Sequence, residues 1–408
     1  MGIRPYIIFA IMVSISGLLL GLIKTIGINI PLSVINLLIL FFGVIFSYQF
    51  IIHRFHKGFP YSLFLSLYLL IKLFTNLYLY NDLGTDLRDY LLFMIFMGVI
   101  QNKWVQKEHA RQIIKTIELI MILYGCIFFI QFLFKESLPE SLLNIPNIGD
   151  SEGIEKYSRE YEGIQVYRPN ALMGNPISLG FFCNMVVFFG FKLKNKSLRE
   201  KISLILLPSL LIIMLLSRAN ITVLFVQLFF GFKIFSKKML SYLPLIIILL
   251  AASSGFLTNF LNIYYLRLSG ADSNALASNL EHLNDYLRAY EVFKDNAFFG
   301  VSESYIVNNE IITDGTLVIL FCKLGSIGAS ILLLYAVSIL KKMGFGSNNR
   351  IRDSILLISF LLLLIANSAA NNPINLILLA ILVNYFLKQN EMSSKNEASL
   401  YYRASAIK

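Results

Sequence analysis

The chain has 408 residues, 57% of them hydrophobic and only 14% charged, and its mean hydropathy is +0.69. A water-soluble core cannot cover that much apolar surface, which excludes an ordinary soluble domain and leaves a lipid bilayer as the solvent. The net charge of +11 would point to nucleic acid on a soluble protein. Here the surplus lies in short connections between apolar runs, where Lys and Arg act as topology signals, so no nucleic-acid partner is expected.

Apolar runs recur about twelve times, at 5–23, 30–52, 61–80, 88–102, 113–134, 171–191, 201–217, 219–235, 239–257, 313–340, 353–370 and 373–388. They lack period-two alternation, so the spacing predicts spanning helices, not a barrel. Met1-Gly-Ile-Arg4-Pro5 leads into the first run with no small-residue cleavage pattern and without the Ser/Thr of a myristoylation motif, so an uncleaved first helix is expected. The third run holds Lys72 near its centre, with Asn76 one turn on. A lysine there is costly in lipid and should face the bundle or a cavity, toward an acidic partner or a lipid carrier. The run at 88–102 is short and mixed in polarity. Only Ser217, Arg218, Ala219 and Asn220 interrupt 201–235, which predicts two helices joined by a tight reversal.

Basic residues crowd alternate connections: Arg54 and Lys57; Lys103, Lys107 and Arg111; Lys192, Lys194, Lys196, Arg199 and Lys201; Lys233, Lys237 and Lys238; Lys341, Lys342, Arg350 and Arg352. These share the cytoplasmic side, which puts both termini in the cytoplasm. The connections 81–87, 135–170, 218–220, 258–312 and 371–372 then face outward. The chain thus divides into helices over 1–134, a first long outer loop at 135–170, helices over 171–257, a second long outer loop at 258–312, helices over 313–388 and a polar tail at 389–408, expected to be disordered. Both long loops exceed a simple connector and imply structure or a task of their own. In the second, Ser278-Asn-Leu-Glu281 has the pattern of a capping box. Behind it, Leu283, Tyr286, Leu287, Tyr290 and Phe293 form a stripe opposite Glu281, Asp285 and Arg288, which predicts an amphipathic helix on the outer membrane face.

Cys126, Cys183 and Cys322 fall in or beside apolar runs without CxxC spacing and read as packing residues. His53, His56, His109 and His282 lack zinc-type spacing, so no metal and no other cofactor is expected. The chemistry-bearing candidates are four arginines on the outer side, Arg168, Arg218, Arg267 and Arg288, because positive charge there opposes the orientation rule. Each has a plainer reading. Arg218 can snorkel to headgroups, Arg288 can pair with Asp285 one turn back, and Arg168 and Arg267 can bind lipid phosphates or loop carboxylates. Around Arg168, the run Tyr167-Arg-Pro-Asn-Ala-Leu-Met-Gly-Asn-Pro-Ile-Ser-Leu-Gly180 predicts irregular backbone at the interface. Such backbone survives only where protein buries it or water reaches it.

These residues resemble a family. Arg168, Gly174-Asn-Pro176 and Gly180 resemble the first signature of the O-antigen polymerase and O-antigen ligase family, with altered internal spacing, and Ser217-Arg218 resembles its second. Asn284-Asp-Tyr-Leu-Arg288 followed by Phe293-Lys-Asp-Asn-Ala-Phe-Phe-Gly300-Val301 is similar to its arginine helix and the D-x-P-hydrophobic-G-x-G run behind it. Ala297 here replaces the proline and Ser302 the second glycine. Asp314 and Leu324-Gly-Ser-Ile-Gly328 are similar to the segment that opens the next span.

The resemblance implies an all-α polytopic bundle of GT-C-like glycosyltransferase architecture in the bacterial cytoplasmic (inner) membrane. It also implies a metal-independent enzyme acting on undecaprenyl-diphosphate-linked oligosaccharide. Arg218 and Arg288 would hold the diphosphate, with Arg168 assisting, and Asn175, Arg267 and Glu303 would complete the substrate contacts. Asp314 stands where the ligase branch carries a histidine. That favours a polymerase over a ligase and leaves Asp314, Glu303 and Asp285 as candidate bases, with a helix N-cap as the alternative role for Asp314. Membrane lipid and a chain-length regulator protein are the further partners implied. A flippase of lipid-linked oligosaccharide is the rival of another class; it would show repeats and broken spans at mid-membrane, and the sequence displays neither.

Overall fold

The computed structural model describes residues 41, 44, 45, 48, 60–80, 84–101, 107–134, 158–161, 164–171, 173, 175–193, 197–215, 217–231, 273–309, 316–343, 358 and 375–387. Along these the chain forms α1 (Pro60–Tyr80), α2 (Gly84–Gln101), α3 (Lys107–Leu133), β1 (Ser158–Tyr161), β2 (Ile164–Tyr167) and α4 (Pro176–Lys192). Then follow α5 (Leu198–Lys201), a π-helical turn at Ile202–Leu206, α6 (Leu207–Met214), α7 (Arg218–Gly231), α8 (Ser273–Asp295), α9 (Glu303–Asn308) and α10 (Thr316–Lys342). The last is α11 (Asn375–Leu387).

Three helices are long and apolar enough to cross a membrane, over Pro60–Leu79, Gln112–Leu133 and Leu317–Lys342. Pro176–Phe191, Ala219–Phe229 and Asn375–Leu387 are shorter apolar helices. Among the described residues this is an α-helical membrane protein, and each of these helices falls on an expected span. Within 201–231 the chain forms two helical units, ending at Met214 and starting again at Arg218, as the polar interruption predicted.

α4 is the hub. Its residues from Ser178 to Phe191 are buried all round, the mark of a helix enclosed by others. α6 and α7 pack along it. Tyr124 of α3 meets Phe182 edge-on at 5.4 Å, and Phe189 stacks on Phe386 of α11 at 5.0 Å. α1 packs along α10 and beside α2, and α8 lies against α10. On α1, Leu65, Tyr68 and Leu73 turn inward while Phe64, Ile71, Phe74 and Tyr78 are exposed. In lipid, such an apolar outer face is the favourable one.

Polar contacts join helix ends that the charge pattern assigns to a common side. Gln131 of α3 reaches Ala171, Asn375 of α11 reaches Ser178, and Asp89 of α2 pairs with Lys323 of α10. At the opposite ends, Glu118 of α3 meets Arg199 and Ser203, and Gln101 of α2 donates to Tyr335 of α10.

Three expectations are corrected. First, the segment before α4, expected as a plain loop, carries a short antiparallel ribbon, with Ser158 opposite Tyr167 and Tyr161 opposite Ile164, beside an otherwise helical described chain. Ile164, Val166 and Tyr167 favour strand. Second, α8 begins at Ser273, so Ser278 and Glu281 lie inside it and form no capping box. The good helix formers upstream, Ala275, Leu276 and Ala277, carry the helix past that signal. Third, one span is broken: Gly325 inside α10 has φ 60° and ψ −174°.

Candidate functional site

The first candidate cluster gathers at the N-terminus of α4. The chain leaves β2 at Arg168 and runs irregularly to Asn175, and Arg168, Asn170, Ala171 and Met173 are all buried. Protein, not water, therefore makes this backbone tolerable at the membrane interface. Gln131 does much of that work. Its amide oxygen accepts from Ala171 N–H at 2.8 Å, and its Nε2 donates to Asn170 Oδ1 at 3.3 Å and Ala171 O at 3.4 Å. Ala171 is held at φ 48°, a conformation that L-residues seldom adopt. Asn175 caps α4, its Oδ1 accepting from Ile177 N–H at 2.7 Å, with Pro176 pre-set in the first turn.

The start of α7 docks onto this cap. Asn220 donates to Ser217 Oγ at 3.0 Å and to Ile177 O at 3.5 Å. Asn184 of α4 donates to Asn220 O at 3.0 Å and Asn220 Oδ1 at 3.1 Å. Gly180 makes room for this network, since a Cβ there would meet Asn220 Cγ at 2.7 Å. Arg218 opens α7, so its backbone lies beside the Asn175–Ile177 cap. Arg168, Asn175 and Arg218 thus share one neighbourhood.

The second cluster is built on the break in α10. The turn after α8 presses into the break backbone to backbone. Ser326 N–H donates to Ala297 O at 2.6 Å, Val301 N–H to Cys322 O at 2.9 Å, and Ile327 N–H to Phe298 O at 3.3 Å. Gly300, with φ 69°, faces Gly325; a Cβ on Gly300 would meet Cys322 O at 2.5 Å, and one on Gly325 would meet Gly300 N at 2.6 Å. From α1, Tyr68 donates to Leu324 O and, at 3.2 Å, to Phe299 O. Gly328 leaves space for its ring. Lys72 donates to Phe299 O and Val301 O, both at 3.1 Å. Its partners include backbone carbonyls, a class the acidic or lipid expectation did not name.

Asp89 and Lys323 pair at 2.6 Å beside this knot. Ser302, which replaces a glycine of the resembled motif, caps α9: its Oγ accepts from Tyr305 N–H at 3.2 Å. Arg288 is exposed on α8, Asp285 is half-buried on the same helix, and Glu303 opens α9. Arg288 and Glu303 therefore flank the inserted turn on α8 and α9. Arg267 and Asp314 lie outside the described residues.

Sequence reasoning missed Gln131, Tyr68, Asn184, Asn220 and Asn375. The four amides carried a readable signal, since polar residues inside apolar runs are costly in lipid and seek partners. Tyr68 carried none, because tyrosine is common in such runs. Chemically, the clusters offer permanent cations beside tightly held irregular backbone, an arrangement suited to an anionic group at a membrane surface. No protein-family model matches the chain, and a search of curated proteins returns no match.

Proposed function

We propose that the protein is a polysaccharide polymerase of about twelve spans and GT-C-like architecture in the bacterial cytoplasmic membrane, making O-antigen or capsule. It transfers the growing glycan from undecaprenyl diphosphate to a hydroxyl of the next lipid-linked repeat unit at the outer face. The bond between the anomeric carbon and the diphosphate oxygen breaks, the leaving diphosphate takes the electron pair, and the acceptor oxygen bonds to that carbon. The acceptor proton passes to a carboxylate, for which Asp314, Glu303 and Asp285 are candidates. Arg218 and Arg288 stabilise the charge growing on the diphosphate, Arg168 assists, and Asn175 and Arg267 contribute to substrate binding. Guanidinium groups suit this role because their charge is permanent and their donors match phosphate oxygens in pairs.

The observation that carries the reading is positional. Arg168 precedes α4, Arg218 opens α7 and Arg288 lies on α8, all in connections that the charge pattern turns outward and in the order of the resembled motifs. The break at Gly325 is the one observation that favours a transporter, since unwound spans coordinate cargo there. Here the carbonyls of Cys322 and Leu324 and the N–H groups of Ser326 and Ile327 are engaged by the inserted turn and Tyr68. That occupation supports a rigid scaffold over a cargo site.

The test is glycan gel analysis of a deletion strain complemented with Arg218→Lys or Arg288→Lys. The expected outcome is a ladder collapsing to single-repeat material while the protein stays membrane-inserted. Each loss should cost about 3 kcal/mol, roughly a hundredfold in rate. Normal ladders from both variants would overturn the proposal, and polymer-capped core without chain growth would indicate a ligase.

A further inference from the structure

We propose that the turn at 296–301 is a re-entrant element: it dips below the membrane surface and sets Phe298 and Phe299 against the hydrocarbon chains of bilayer lipid. Two spans act as independent rulers. Lys72 lies about two helical turns before Leu79, the end of the α1 span, which is about 10 Å below that end. Tyr68 lies a further turn down. Both side chains hold Phe299 O, and helical side chains lean toward the N-terminus of their helix, here the deeper direction. On α10, Gly325 is about two turns in from Leu317, again on the order of 10 Å. The turn is bonded to both levels at once.

Non-helical backbone at that depth requires its polar groups to be satisfied by protein. Five of this turn's six carbonyls meet the condition, as do the N–H groups at its two ends. Ala297 O and Phe298 O accept from α10, Phe299 O accepts from Tyr68 and Lys72, Val301 O accepts from Lys72, and the N–H groups of Gly300 and Val301 donate to Asn296 O and Cys322 O. What remains outward is apolar: Phe298 is 70% exposed and Phe299 61%. They continue the exposed faces of the spans they rest on, Ile71 and Phe74 of α1 and Phe321 of α10. Two exposed phenylalanines between two lipid-facing helices fit hydrocarbon and would be unfavourable in water. The intramembrane lysine thereby gains a purpose, pinning this turn at its depth.

The experiment uses full-length protein in phosphatidylcholine vesicles. Phe298→Trp is made with the single native tryptophan removed as Trp104→Phe. The expected result is blue-shifted emission, quenched at least twofold by lipid with brominated acyl chains and little by aqueous iodide. Strong iodide quenching without bromolipid quenching would overturn the proposal. Phe299→Cys in a Cys126→Ser background checks it without an indole. It should resist a membrane-impermeant maleimide that labels Asn309→Cys, and Lys72→Met should raise its labelling several-fold. Equal labelling of Phe299→Cys and Asn309→Cys would overturn the depth; no effect of Lys72→Met would overturn the pinning. Neither readout involves sugar transfer, so failure here leaves the polymerase reading standing, and the reverse.

Discussion

Gly300 and Gly325 illustrate why glycine sits where it does. Each holds a positive φ and each has backbone atoms of the other segment where a Cβ would go. Backbone cannot step aside as a flexible side chain can. Gly300→Ala and Gly325→Ala should therefore each lower stability by about 2 kcal/mol or more, from strained φ alone before the clash is counted. Gly125 is the contrast: its Cβ would meet only the end of Leu207 at 3.1 Å, so Gly125→Ala should be near neutral. Thermal unfolding in detergent separates the two outcomes. Gln131→Ala removes both the acceptor of Ala171 N–H and the donor to Asn170. Leaving those buried groups unmade should cost on the order of 1–3 kcal/mol by the same measurement.

At the scale of elements, the helix that begins at Ser197 shows which polar contacts matter. Ser197 and Glu200 form a capping box, with Ser197 N–H to Glu200 Oε2 at 2.7 Å and Glu200 N–H to Ser197 Oγ at 3.2 Å. The π-helical turn follows and brings Ser203 Oγ within 3.2 Å of buried Glu118. The Arg199–Glu118 pair is weaker, at 3.8 Å with the arginine side chain 74% exposed. At that length, with the arginine largely in solvent and Ser203 still bonded to Glu118, the pair contributes little, so Arg199→Ala should stay within about 0.5 kcal/mol of the parent, while Ser197→Ala should cost about 1 kcal/mol. Much of this level was legible in the sequence. Run lengths and hydropathy located α1, α3, α4, α10 and α11, and the Ser217–Asn220 interruption located the reversal. The ribbon was not foreseen, because a short strand pair inside a helix-rich chain announces itself only through alternation over a few residues. The capping-box reading at Ser278 failed because a local cap signal cannot outweigh good helix formers on both sides of it. The break at Gly325 was invisible: a glycine inside an apolar run looks the same whether it packs a helix or interrupts one.

For the whole molecule, charge asymmetry set the expected sidedness, and the tertiary contacts pair helix ends consistently with it. Reporter fusions after Lys196 and Asn348 should read out in the cytoplasm, and fusions after Glu136 and Asn309 outside it. The candidate site was legible as a set of outward arginines. Its division into two clusters was not, because that depends on which helices pack together. Those packings have a consequence for how the chain is made. Tyr68 finds its partner in Leu324, Asp89 in Lys323, Ser178 in Asn375 and Val99 in Asn384. In each pair the ribosome delivers the second member long after the first has reached the bilayer. Until the C-terminal helices emerge, Asp89 waits beside lipid without the lysine that neutralises its cost, and Tyr68 without the carbonyl of Leu324. The nascent protein must then be sheltered, and a chain stopped just before Thr316 should be a preferred substrate for membrane quality-control proteolysis.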